Sequence, residues 1–241
     1  MLLRRFLQCA LAVLSAGLVP VPCADPQRET VRYVRPVKDT FATECQFVIA
    51  RSDAGWTITS TTDRGTLRME VVTRYDAEDR PISAKAVLTS GGTAQTATVE
   101  VKDGRATIRR DGHEPREFDA PRGTIVTSAP DWSDVFLLCR RYDARRKGKQ
   151  EFPALWIHPT QPPQRLTFSI EWQGTDLIER DGSRTELGRF AIRIRNNSSY
   201  VAWVNAQGQM VRLIPLPWNE NAPGLTREGF EKSTAGLRPP P

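Results

Sequence analysis

Six stretches of this chain alternate apolar and polar residues with a period of two. They are Trp56–Ser60, Leu67–Val71, Ile82–Leu88, Ala97–Val101, Leu166–Trp172 and Phe190–Ile194. Successive side chains of a β-strand point to opposite faces, so each stretch predicts a strand with one buried and one wet face. Turn signals separate them: Asp53-Ala-Gly55, Asp63-Arg-Gly65, Asp103-Gly104, Asp111-Gly112, Asp181-Gly182 and Gln207-Gly208. Asp-Gly favours tight hairpins, because glycine adopts positive φ at little cost. The repeated strand-and-turn rhythm predicts an all-β antiparallel meander of hairpins.

One segment breaks the alternation. Across Asp131–Tyr142 the apolar residues Trp132, Val135, Phe136 and Cys139 fall at helical spacing. Asp131 is placed to cap the first turn, and Asp134 stands where a carboxylate favours the helix dipole. The spacing predicts a three-turn helix with its apolar stripe against the sheet. A second short helix is expected over about 226–232. Pro153, Pro159, Pro162 and Pro163 suggest a seam near 144–164 within one domain spanning 25–234, followed by a disordered tail over 235–241.

The chain opens with Arg4 and Arg5, an apolar run from Phe6 to Val19, and the small-residue boundary Pro22-Cys23-Ala24. This is the layout of a secretory signal peptide over residues 1–24. The run is shorter than the roughly 20 residues a membrane-spanning helix needs. The expected destination is the periplasm or the exterior, as a protein that does not span the membrane. Loss of Arg4 and Arg5 with the leader lowers the net charge from +6 to +4. Nucleic acid is not an expected partner, since no nucleic-acid-binding motif accompanies that charge.

Cys9 and Cys23 fall in or at the edge of the leader, leaving Cys45 and Cys139. Both are expected to point inward. In an oxidising compartment they are candidates for a disulfide; the alternative is a pair of buried thiols acting as small apolar groups.

No hydrolase elbow, phosphate loop, zinc-ligand pair or calcium loop occurs. Accordingly no catalytic residue, metal site or cofactor is assigned. The expected ligand surface combines inward apolar residues (Leu67, Met69, Phe168, Ile170 and Ile192) with Trp56, Trp156 and His158. Arg140, Arg145 and Arg146, in the basic stretch ending at Lys149, are expected to hold an anionic head group. The partners this implies are a lipid, another amphipathic small molecule, or a second envelope protein. A hydrolase using His158 with a nearby carboxylate, and a scaffold that binds nothing small, are the alternatives.

Several short motifs strengthen the fold expectation. They are Arg74-Tyr-Asp76 before Pro81, Leu137-Leu138 before Arg141-Tyr-Asp143, Gln173-Gly-Thr-Asp176, Trp203-Val-Asn-Ala-Gln-Gly208 and Arg227-Glu-Gly-Phe-Glu231. In these the chain from Thr40 onward resembles exported bacterial proteins of an uncharacterised family. It is also similar to the N-terminal β domains of some secreted amidohydrolase-like enzymes. The resemblance implies a long, strongly curved antiparallel sheet, a half-barrel or open barrel whose concave face the 131–142 helix plugs or flanks, and supplies no catalytic residues.

Overall fold

The computed structural model describes residues 27–37, 40–128, 132–194, 198–217 and 224–238. The proposed leader, Asp131 and Trp218 lie outside them. The first half of the chain forms β1 (Gln27–Val37), β2 (Thr40–Ser52), β3 (Gly55–Arg64), β4 (Leu67–Asp76), β5 (Pro81–Ser90), β6 (Thr93–Lys102), β7 (Arg105–Arg110) and β8 (His113–Asp119). Then come β9 (Ile125–Thr127) and the helix α1 (Ser133–Arg141). The second half supplies β10 (Lys149–His158), β11 (Gln161–Arg180), β12 (Ser183–Ile194), β13 (Ser198–Val204), β14 (Met210–Leu216) and β15 (Leu225–Arg227).

All fifteen strands join one sheet, in the order β8-β7-β6-β5-β4-β3-β2-β1-β15-β14-β13-β12-β11-β10-β9. Each half is a meander of hairpins, as the turn signals predict. At Asp103-Gly104 and Asp181-Gly182 both residues take positive φ, the geometry of the tightest hairpin turns. β9 and β10 pair in parallel, and α1 lies in the connection between them, as a parallel pair requires a crossover. The proline-rich stretch near 144–164 therefore carries β10 and the start of β11, inside the continuous sheet.

The sheet curls until its ends meet. Val126, Leu155 and Ile157, from β9 and β10, pack into one cluster with Met69, Val71, Ala84, Ala86 and Ile108 of the opposite end. Arg165 at the start of β11 reaches Asp119 of β8 at 2.6 Å, and its guanidinium lies over the Phe118 ring. Closure thus comes from side-chain packing and an ion pair.

The helix fills the space this curl encloses. Val135, Phe136, Leu137, Leu138 and Cys139 are all buried, so α1 is covered around its circumference and not along one stripe alone. Phe136 packs against Phe47 with ring centroids 5.7 Å apart, and Phe47 against Tyr33 at 5.5 Å. Each such buried side chain contributes roughly 1.5–3 kcal/mol of apolar burial.

The outer face of the second half is covered too. Val201, Trp203, Val211 and Ile214 pack with Phe230 and Leu237 from the C-terminal segment. Leu237 is therefore part of a packed cluster, where the sequence suggests a disordered tail. The short helix expected over about 226–232 does not form: β15 runs to Arg227 and turns follow. Gly229, with φ of +83°, breaks any helical run there.

Candidate functional site

The inward residues expected to meet a ligand meet α1 and each other instead. Phe168, Ile170 and Ile192 belong to the same buried cluster as the helix. Met69 is buried in the closure cluster, and Leu67 packs against its edge. The concave face is filled by protein.

The basic residues divide at the C-terminal end of α1. The Arg140 guanidinium lies 5.7 Å from both the Trp56 and the Phe136 ring centroids. Burial, and then the neighbouring Arg51, lowers its pKa. Trp56 stacks on Tyr75 at 4.8 Å and donates from Nε1 to Asp79 at 2.7 Å. Arg141 donates to the Gly123 carbonyl at 2.7 Å and to the Asp79 carbonyl at 2.8 Å. Arg145 and Arg146 lie beyond, exposed in the turn that Asp143 organises through the Arg145 amide at 2.9 Å. Trp56 and Arg140 thus come together over the end of the helix, whereas Arg145 and Arg146 extend into solvent.

Trp156 and His158 also come together, on β10, with ring centroids 5.5 Å apart. His158 Nδ1 accepts the Thr160 amide at 3.2 Å, an engagement with its own turn. Nearby, the Thr127 hydroxyl donates to the buried carboxylate of Asp134 at 2.8 Å. Among the described residues no three His, Cys, Asp or Glu side chains group as metal ligands.

The structure does not contain the anticipated disulfide. Cys45 and Cys139 both lie in the main core cluster as buried thiols. Burial pushes the Cys139 thiol up to about 12, far from the range of a reactive thiolate.

An opening remains at the N-terminal end of α1. It is a cavity of about 150 Å³, with Leu213 and Leu225 among its buried lining residues and Tyr200, Pro215, Gly224 and Trp132 among its half-buried ones. Its charged lining is Arg35, Glu44 and Arg64. Glu44 is only 7% exposed, yet its carboxylate is shared between Arg64 at 2.9 Å and Arg35 at 3.5 Å. Both arginines are half exposed, so guanidinium N–H groups stay open to the mouth. Arg64 also lies over the Trp132 ring, 5.9 Å from its centroid.

Local irregularities build this site. In the β1–β2 ladder Tyr33 faces Cys45 but Val34 faces Thr43, so Glu44 is an extra residue in β2. This bulge leaves Thr43 exposed and buries Glu44, against the simple alternation that puts Thr43 on the face of Cys45. Glycine is required at 224: φ is +82°, and a Cβ there would stand 2.0 Å from the Leu213 carbonyl oxygen.

The same end carries unspent polar atoms. Trp132 Nε1, Trp156 Nε1 and Thr62 Oγ1 are buried with no hydrogen-bond partner among the described residues. Buried polar groups in native proteins nearly always have partners, and of these three residues Trp132 belongs to the cavity lining. The sequence points to Trp156 here. It also places Trp132 on the inward stripe of the helix but gives no sign of Glu44, Arg35 or Arg64, which a bulge and the curl of the sheet bring there.

No family model matches the chain, and no curated protein matches it. Among solved structures, it is similar to a β-barrel-like protein of the domain of unknown function DUF1849 from Brucella abortus. That match has 9% identity and a TM-score of 0.50, and covers 84% of this chain and 94% of the other. It is also similar to a DUF1089 family protein from Pseudomonas aeruginosa, at 15% identity and a TM-score of 0.45, over 73% of this chain and 92% of the other. At such identities the likeness to the Brucella protein shows the fold: a β-barrel-like domain of uncharacterised function. No described helix is long and apolar enough to cross a membrane.

Proposed function

We propose that the protein is an exported, non-catalytic envelope protein that binds a small amphipathic ligand at the cavity beside Trp132. The observation that carries this reading is the cavity itself: an apolar lining with a charged mouth, at the N-terminal end of α1. An apolar cavity of about 150 Å³ holds a benzene-sized group. The ligand's apolar end therefore enters between Leu213, Leu225 and Tyr200, and any longer portion stays outside. Export rests on the leader-like residues 1–24. The head-group role expected of Arg145 and Arg146 passes to Arg35 and Arg64, because α1 separates the basic turn from the cavity.

A second reading, a scaffold that binds nothing small, is favoured by the filling of the concave face by α1. Native mass spectrometry of protein purified from its own envelope separates the two. Ligand binding predicts a bound small-amphiphile mass that is released on denaturation. Repeated adduct-free spectra from folded protein would leave the scaffold reading standing.

A further inference from the structure

We infer that the cavity beside Trp132 selects a carboxylate-headed ligand, with its apolar end against Leu213 and Leu225 and its carboxylate between Arg35 and Arg64. This inference rests on the amphiphile-binding reading above and adds the chemistry of the head group. Two guanidinium groups line the cavity, against the single carboxylate of Glu44. That carboxylate lies deep and holds both arginines from within, at 2.9 Å and 3.5 Å. One positive charge is left uncompensated among the described lining residues.

The exposed halves of both arginines then present donors toward the mouth. Guanidinium is the side chain best shaped to hold a carboxylate through paired N–H donors. Trp132 lines the same cavity, with the Arg64 guanidinium over its ring. The unspent capacity of the site is therefore cationic and donating, the complement of a carboxylate. A neutral amide would leave the charge uncompensated, and an ammonium would meet the wrong sign.

Titration calorimetry of the purified protein with hexanoate, hexanamide and hexylammonium as probes tests this directly. The three share a tail and differ only in the head. Hexanoate is expected to bind at least about tenfold more tightly than hexanamide. Hexylammonium is expected to show no binding, and hexanoate affinity should fall as salt is raised. Arg64→Gln should erase the preference of hexanoate over hexanamide. Trp132→Phe, which keeps an aromatic ring but trims the cavity wall, should weaken hexanoate severalfold with the preference retained; it serves as the second variant if Arg64→Gln does not fold. Equal or tighter binding of hexanamide, or a preference for hexylammonium, overturns the carboxylate assignment while leaving amphiphile binding intact. Failure of all three probes to bind overturns both.

Discussion

The two ends of α1 are built to opposite standards. At the C-terminal end polar groups are spent on protein: Trp56 Nε1 on Asp79, and Arg141 on the carbonyls of Gly123 and Asp79. Aromatic rings close the remaining gaps, Trp56 on Tyr75 and Tyr142 on Phe190 at 4.9 Å. At the N-terminal end Trp132 Nε1 is unpartnered, a buried glutamate is shared between two half-exposed arginines, and a cavity remains. One helix thus seals one end of a barrel-like sheet and leaves the other end open.

The strongest way to break this contrast is to remove the helix's central anchor. Phe136→Ala should cost about 3–5 kcal/mol, because it empties a fully packed position that touches Phe47. Urea denaturation measures it, and a cost below about 1 kcal/mol would mean that α1 does not hold the interior. Arg141→Ala tests the sealed end alone. It should cost about 1.5–3 kcal/mol through two charge-assisted bonds to carbonyls. Its effect on hexanoate binding should be nil, since α1 stands between the two ends.

The buried thiol provides a pH test of the seal. The Cys139 pKa is raised from 9.0 to about 12 by burial, so the folded state holds the proton more tightly than the unfolded chain. Its contribution is fully present below pH 9 and is lost as pH rises toward 12. Tyr33, whose pKa is raised chiefly by burial and then by Cys45, acts in the same direction. Stability should therefore decline on the alkaline side, and iodoacetamide should label Cys139 only when the protein unfolds. Rapid labelling at neutral pH would show the seal to be open.

The smallest effect compares the two tryptophans. Trp56→Phe should cost about 1 kcal/mol for its bond to Asp79. Trp132→Phe should leave stability within about 0.5 kcal/mol, because the N–H it removes has no protein partner to lose. Equal costs in thermal or urea denaturation would erase the distinction between the ends.

Much of the fold is legible in the sequence, because period-two alternation and Asp-Gly turns are local signals. Phe168-Ser-Ile170, for example, reads directly as a strand with one face inward. The helix is legible as well, but not its complete burial, since Leu137 and Leu138 face parts of the curled sheet far away in sequence. The site was largely hidden. Glu44 reaches the cavity only through a bulge, and alternation assigns its inward place to Thr43. The C-terminal segment misled for a similar reason: Phe230 falls in an expected helix and Leu237 in an expected loose end until Trp203 and Val211 supply a surface. Local pattern specifies strands, whereas bulges and closure decide which residues meet.

The central claim is that the open end of α1 takes a ligand and the sealed end does not. The indole N–H resonances of Trp132 and Trp56 report on the two ends separately. On titration with hexanoate the account predicts that the Trp132 Nε1–H signal shifts progressively to saturation while that of Trp56, already bonded to Asp79, stays in place. A shift at Trp56 with none at Trp132, or no shift at either up to the solubility limit of the probe, would contradict it.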